Sequence, residues 1–71
     1  MEVEVMSQHY MGPLWIEQAQ NNHMLFYVYI NNGFLGRIFS FNRRECRNWY
    51  SPDITDKELI LQISEWIEYL Y

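Results

Sequence analysis

Two runs of β-forming residues, at positions 24–30 and 34–41, flank a short Asn-Asn-Gly segment. A Gly-containing turn between two such runs is the strongest local sign of an antiparallel hairpin. Both alternating faces of this hairpin are apolar or aromatic. A single helix can cover only one of them, and two-sided apolar sheets either are buried on both sides or use the second side as a contact surface. The chain is therefore limited to folds in which both apolar faces of the sheet are buried or one of them serves as a contact surface.

The length of the hairpin loop sets which residues face each other. A three-residue loop with Gly33 in the left-handed region sets Val28 opposite Gly36 and leaves no aliphatic side chain opposite a charge. A two-residue loop would set Phe26 opposite Arg37. We therefore predict the three-residue form. In this form Arg37 lies across from Tyr27, where stacking on the ring contributes about 0.5–1 kcal/mol. The predicted pairs are Leu25 with Phe39, Phe26 with Ile38, Tyr27 with Arg37, Val28 with Gly36, Tyr29 with Leu35 and Ile30 with Phe34.

The remaining segments complete an α+β fold. The start of the chain alternates Val with Glu, as a half-buried strand does, and a Gly-Pro turn at residues 11–13 precedes a less regular strand. We predict an antiparallel β-meander of three to five strands with one C-terminal α-helix packed on one face. A short strand around Trp49 and Tyr50 is compatible with this prediction. The predicted limits are one domain over 1–71, with strands over about 2–8, 14–19, 24–30 and 34–41, a loop over 42–54 and a helix over 56–70.

The helix start carries a clear signature. Thr55 and Glu58 match a capping box, and Ile54 and Leu59 are spaced as a hydrophobic staple requires. Leu61 falls on the far side of the helix. The apolar stripe that should cover the sheet spans about 120° of the helix surface. It consists of Leu59, Ile60, Ile63, Trp66, Ile67 and Leu70.

Composition limits the class of protein. A chain of 71 residues buries only about 60% of its unfolded surface, so its margin of stability is roughly 3–5 kcal/mol. One cysteine excludes a disulfide within the chain and, with an acidic N-terminus, favours the reducing cytoplasm. No segment has the apolar length of a membrane-spanning helix, so we expect no membrane partner. The net charge of −4 argues against general nucleic-acid binding.

The second apolar face of the hairpin is the leading candidate for function. Tyr, Phe and Arg are enriched at protein interfaces, and a chain with so thin a margin gains from a partner subunit. We therefore expect a small non-enzymatic protein–protein interaction domain that self-associates as a homo-oligomer or binds another protein. The predicted interface residues are Tyr27, Tyr29, Leu35, Arg37 and Phe39.

A basic segment offers an alternative from a different class. Four of the five cationic residues lie within eleven positions, and two aromatic residues follow them. Guanidinium groups grip phosphate and aromatic rings stack on bases, so the segment could bind nucleic acid or a nucleotide-like anion. Arginine clusters of this size also occur on ordinary solvated surfaces. The candidate contacts are Arg43, Arg44, Arg47, Trp49 and Tyr50.

Catalytic and metal-binding groups are sparse. Cys46 lies beside arginines, which would favour its thiolate, but a nucleophile also needs an orienting base. His9 and His23 are far from it in the sequence, and zinc sites need three or four ligands. We therefore expect no enzyme activity, no metal and no cofactor.

Overall fold

Five antiparallel strands in chain order form one curled sheet, and a single helix follows the last strand. The computed structural model describes residues 1–30, 33–43 and 46–70, with the backbone alone at positions 43 and 46. The fold class is therefore the predicted α+β meander with a C-terminal helix. The elements are β1 (Glu2–Met6), β2 (Met11–Ala19), β3 (Asn22–Ile30), β4 (Gly33–Arg43), β5 (Cys46–Tyr50) and α1 (Lys57–Leu70).

The helix packs on one face of the sheet, and the core lies between them. Every second residue along each strand points towards α1, as the pleat of a sheet requires. Phe26 and Ile38 face each other at the centre of this layer and are fully buried, and Ile63 and Ile67 meet them from α1. We call this side of the sheet the core face. Its buried apolar residues, with those of the helix and the segment before it, are Val3, Val5, Leu14, Ile16, Phe26, Val28, Ile38, Ile54, Leu59, Ile63 and Ile67.

The first turn lies earlier than the sequence indicates. β1 ends at Met6 because the Ser7 hydroxyl accepts hydrogen bonds from the backbone N–H groups of His9 and Tyr10, which turns the chain. The turn predicted at 11–13 is wrong, since these residues begin β2. Gly12 supplies a positive φ of 136° there. Pro13 lies opposite Glu4 in a pair that is not hydrogen-bonded, so its nitrogen faces away from β1, on the side where the described pairing with β3 begins only at Trp15.

The central hairpin keeps most of the predicted register but not its turn. The four pairs from Leu25 with Phe39 to Val28 with Gly36 are confirmed. Beyond them a bulge shifts the pairing, so that Phe34 lies opposite Tyr29 and Gly33 opposite Ile30. Gly33 is the first residue of β4 and is not in the left-handed region. Asn31 and Asn32, the rest of the predicted loop, lie outside the described residues.

This bulge exchanges two side chains between the faces. Leu35, predicted on the second apolar face, packs instead against the core from the helix side. Phe34, predicted on the core face, lies on the opposite side beside Tyr27 and Tyr29. One extra residue in a strand inverts the facing of its neighbours, which is the physical reason for both corrections.

Two further elements differ from the sequence-based limits. The segment predicted as a loop over 42–54 contains the strand β5, which pairs with the end of β4. The helix is capped by Asp56 rather than Thr55, because Asp56 Oδ1 accepts hydrogen bonds from the N–H groups of Glu58 and Leu59 at 3.1 and 3.2 Å. Ile54 and Leu59 are both buried in the core next to this cap.

Gly36 provides a test of how closely the segment before the helix approaches the sheet. A Cβ at this position would lie 2.8 Å from Asp53 Cβ and 3.0 Å from Ile54 Cγ1. We therefore expect Gly36→Ala to lower the free energy of unfolding by about 1–3 kcal/mol, as overpacking does. Urea denaturation followed by circular dichroism measures this change. A variant as stable as the wild type would contradict the close approach.

Candidate functional site

The face of the sheet opposite α1 carries a cluster of aromatic and apolar side chains that no other element of the described chain covers. We call this side the outer face. Trp15, Phe34 and Tyr50 are exposed by 46%, 55% and 56%, although they are large hydrophobic residues. Exposed apolar patches of this kind mark interaction sites on soluble domains. The cluster comprises Trp15, Leu25, Tyr27, Tyr29, Phe34, Phe39, Phe41 and Tyr50.

The rings of the outer face order one another. The Phe34 ring lies edge-on to Tyr29, with centroids 5.6 Å apart, and 6.2 Å from Tyr27. Phe39 and Tyr50 form a second pair at 6.5 Å across β4 and β5. Such pairs contribute about 0.5–1.5 kcal/mol beyond the area they bury. The surface is thus partly pre-organised before any partner arrives.

Arg37 stands within this cluster and is neutralised by its own chain. Its Nε lies 2.9 Å from Asp53 Oδ2, and its backbone N–H donates to the same oxygen at 3.0 Å. The side-chain hydrogen bond is the main reason why the pKa of Asp53 is lowered and that of Arg37 is raised. The guanidinium also lies over the Phe39 ring, 5.9 Å from its centroid, and Tyr27 faces it across the strands as predicted. The outer face therefore presents no uncompensated cation at Arg37.

Acidic residues lie along one side of the outer face. Glu2 and Glu4 point outwards from β1, and Glu17 does so from β2. Glu17 accepts a hydrogen bond from the indole N–H of Trp15 at 2.9 Å. The aromatic cluster of β3 to β5 thus has an acidic border at the β1–β2 side.

The predicted interface residues fall largely on this surface. Tyr27, Tyr29, Arg37 and Phe39 share the outer face, and each is half-buried by its neighbours. Leu35 is separated from them by the bulge. Sequence reasoning missed Phe34 and Trp15, which are among the most exposed aromatic groups of this face. The alternation of Trp15 with buried Leu14 and Ile16 is the signal that would have identified it.

The basic segment does not gather its candidate contacts on one side. Arg44 and the Arg43 side chain lie outside the described residues. Trp49 and Arg47 face the core side, where the indole lies 6.1 Å from the Phe26 ring and the guanidinium stacks over it at 4.5 Å. Tyr50 points to the outer face. Strand alternation in β5 thus places Trp49 and Tyr50, either of which was expected to stack on a ligand, on opposite faces of the sheet.

Trp49 and Arg47 are each held by further hydrogen bonds. The indole N–H of Trp49 donates to Glu68 of α1 at 3.3 Å, and Arg47 Nε donates to the Ser40 hydroxyl at 2.7 Å. One ring face of Trp49 is therefore occupied by Arg47. These contacts anchor β5 to the helix and to β4.

A polar cluster joins the first turn to the start of the helix. The hydroxyl of Ser7, which is buried, donates to Asp56 Oδ2 at 2.9 Å. Burial alone would raise the pKa of Asp56. The hydrogen bonds from Ser7, Leu59 and Glu58, together with nearby His9, outweigh that effect and hold the pKa below its ordinary value. No sequence motif indicates this cluster, because its members are 49 positions apart.

The lowered pKa of Asp56 predicts a pH dependence of stability. A carboxyl group whose pKa is lower in the folded state stabilises the fold above its unfolded value, about pH 3.9, and this stabilisation is lost as the pH falls through the folded value. Asp56→Asn keeps an oxygen that caps the helix but removes the titration. We expect a shallower loss of stability with acid below about pH 4 in the variant, measured by urea midpoints at several pH values. An unchanged slope would contradict the role of Asp56.

Comparison with known protein families, with curated proteins and with solved structures finds no match to this chain. Among the described residues, no group of three or more His, Cys, Asp or Glu side chains could hold a metal ion. In the same part of the chain, no helix is long and apolar enough to cross a membrane.

Proposed function

We propose that this chain is a non-enzymatic interaction domain that self-associates through its outer face. The observation that carries the proposal is the aromatic cluster of β2 to β5, which lies opposite the only helix and has no cover within the described chain. Leaving such a patch in water forgoes hydrophobic stabilisation that a partner surface can supply.

The size of the aromatic cluster suits a reversible dimer. The cluster extends over the four strands β2 to β5, and with central strands of nine residues it covers at most roughly 19 by 30 Å, or about 570 Å². A standard protein interface buries about 800 Å² on each partner. Packing two clusters against each other would therefore provide a contact below the standard size, which suits a dimer that dissociates on dilution.

The charge distribution favours a second copy over a charged partner. Arg37 is already paired with Asp53, so the aromatic cluster needs no opposite charge from outside. A two-fold arrangement can place the aromatic clusters of two copies against each other. The acidic border of Glu2, Glu4 and Glu17 then stays at the rim in water, where like charges cost least.

Salt dependence and spectral mapping test this function together. Each copy has a net charge of −4, so added salt should screen the repulsion and strengthen self-association. A dilution series of amide spectra should show shifts concentrated at residues 25–29 and 34–39. An anion binder would show the opposite salt dependence and shifts at the basic segment on adding nucleotide or single-stranded nucleic acid. Shifts absent from the outer face on dilution would contradict the proposal.

A further inference from the structure

We propose that the open edge of the sheet at β5, with the groove between β5 and α1, is a docking site for an extended peptide segment of a partner protein. The peptide adds a strand beside β5, places an apolar side chain in the groove and presents acidic side chains on either side of it. This surface lies on the helix side of β5, shares only Tyr50 with the outer face and does not depend on the proposed dimer.

The opposite edge of the sheet is closed by the helix. Gln62 accepts a hydrogen bond from the Met6 N–H at 2.7 Å and donates to the Met6 carbonyl. The indole N–H of Trp66 donates to the Glu4 carbonyl at 2.9 Å. Helix side chains therefore occupy outward backbone groups of Glu4 and Met6 in β1, as edges are commonly protected. An added strand would have to displace them.

The pairing of the sheet shows which groups β5 turns outwards. Hydrogen-bonded pairs alternate along antiparallel strands. Met1 and Ile16 exchange two backbone hydrogen bonds at the β1 edge. When this alternation is followed from strand to strand through the pairing registers, the backbone N–H and C=O groups of Arg47 and Trp49 point away from β4. Among the described residues, no hydrogen bond joins these outward groups to another element.

An apolar groove lies beside this open edge. It has a volume of about 550 Å³ and runs between β5 and the first half of α1. Leu61 at its rim is 58% exposed, although it is a large aliphatic residue. An edge strand next to an apolar groove is the arrangement by which folded domains bind extended peptides, with backbone bonds giving affinity and the groove giving specificity. Its main lining residues are Trp49, Ile54, Lys57, Ile60, Leu61 and Ser64.

The charges beside the groove indicate which side chains a bound peptide would carry. Arg47 lies on β5, and Lys57 lines the groove at the start of α1. In the described part of the chain, no carboxylate lies within 4.0 Å of the side-chain nitrogens of either residue. An acidic side chain of a bound strand would pair with Lys57, and one on the other side of the apolar residue would pair with Arg47, which stacks on Trp49. Of the chain's own acids, Glu68 lies close to this site, where it accepts the indole N–H of Trp49. A second copy of β5 would bring another Arg47 to this site rather than an acid.

The geometry of a strand predicts the sequence pattern of the bound peptide. Side chains two positions apart share one face of a strand, so the peptide should carry an apolar residue with an acid two positions before and after it. A suitable probe is the blocked peptide Thr-Asp-Thr-Leu-Thr-Asp-Thr with a fluorescent label. Its controls are a scrambled peptide of the same composition and a version with Lys in place of Asp.

An NMR titration of the isotope-labelled protein with this peptide tests the proposal without any substitution in the protein. We expect saturable amide shifts at Arg47, Trp49 and Leu61, slower exchange of the Arg47 and Trp49 amide protons, and weaker binding of both control peptides. Methylating the backbone nitrogen of the probe's Leu should abolish binding, because that N–H faces β5. Methylating a neighbouring Thr should leave it unchanged. No saturable shift, equal binding of the scrambled peptide, or equal effects of the two methyl groups would overturn the proposal.

Variants of the groove give a second readout. Leu61→Asp should abolish binding, whereas Leu70→Asp, which adds the same charge to an exposed position of the same helix outside the groove, should retain it. Lys57→Gln should weaken binding by about two- to fivefold, as expected for a rim charge pair. Equal affinity of the Leu61 and Leu70 variants would also overturn the proposal.

Discussion

The Phe26→Ala variant is expected to be largely unfolded at 25 °C. Phe26 is fully buried on β3, with Ile38 opposite it and the Trp49 ring 6.1 Å away. Removing a buried phenylalanine ring costs about 3–5 kcal/mol in lost transfer energy and cavity formation. A domain of this size has a margin of roughly 3–5 kcal/mol, so the loss consumes nearly all of it. Far-ultraviolet circular dichroism and urea denaturation measure the effect.

Phe34→Ala is the matched control, because it removes the same ring from an exposed position on the outer face. Phe34 is 55% exposed, and we expect its truncation to cost less than about 1 kcal/mol when the protein is dilute enough to be monomeric. The comparison separates burial from residue type. If Phe26→Ala unfolds at the same urea concentration as the wild type, the core described here is wrong.

Tyr29→Glu is expected to dissociate the proposed outer-face dimer. Tyr29 lies in the aromatic cluster, between Trp15 on β2 and Phe34 on β4, and a two-fold contact places one such residue from each copy in the interface. Burying an unpaired carboxylate costs on the order of 3 kcal/mol. The dissociation constant of the dimer should therefore rise on the order of a hundredfold or more. Sedimentation velocity over a concentration series measures this change.

Leu70→Glu provides the control for added charge. Leu70 is 47% exposed near the end of α1, away from the outer face, so this variant changes the net charge equally without touching the proposed contact. It should associate nearly as the wild type does. If both variants weaken association to the same extent, net charge rather than the outer face governs it.

The sequence predicts the parts of the fold that depend on local periodicity. The pairing of Phe26 with Ile38 follows from matching apolar residues across a hairpin, and the helix stripe around Ile63 follows from its period of about 3.6 residues. These signals involve neighbours along the chain or across one turn. They therefore survive without knowledge of the tertiary structure.

The errors arise where a single residue or a distant contact decides the structure. The bulge in β4 moves Leu35 to the core side, and its cause is the pairing of Gly33 with Ile30, which no periodic pattern reveals. Pro13 is accommodated in β2 because its nitrogen faces away from β1, on the side where the described pairing with β3 begins only at Trp15. Asp56 caps the helix rather than Thr55, and Ser7 binds the other oxygen of its carboxylate from the opposite end of the chain.

Of the two candidate surfaces, the outer face was partly predictable from the sequence and the groove beside β5 was not. The alternation of β3 and β4 is sufficient to place Tyr27, Tyr29 and Phe39 on one face. The groove beside β5 was not predictable, because its apolar lining combines Trp49 of the short strand with Ile54 and residues of the helix, which only the tertiary structure brings together. Closure of the β1 edge by Gln62 and Trp66 likewise joins residues more than 50 positions apart.

Light scattering of the purified chain over a roughly hundredfold range of concentration tests the outer-face dimer most directly, because association follows mass action. The proposal predicts a mass that rises with concentration towards twice the 8.8 kDa of one chain. It also predicts that Tyr29→Glu keeps the mass of a single chain over the same range. A wild-type mass of 8.8 kDa at every concentration would contradict self-association through the outer face.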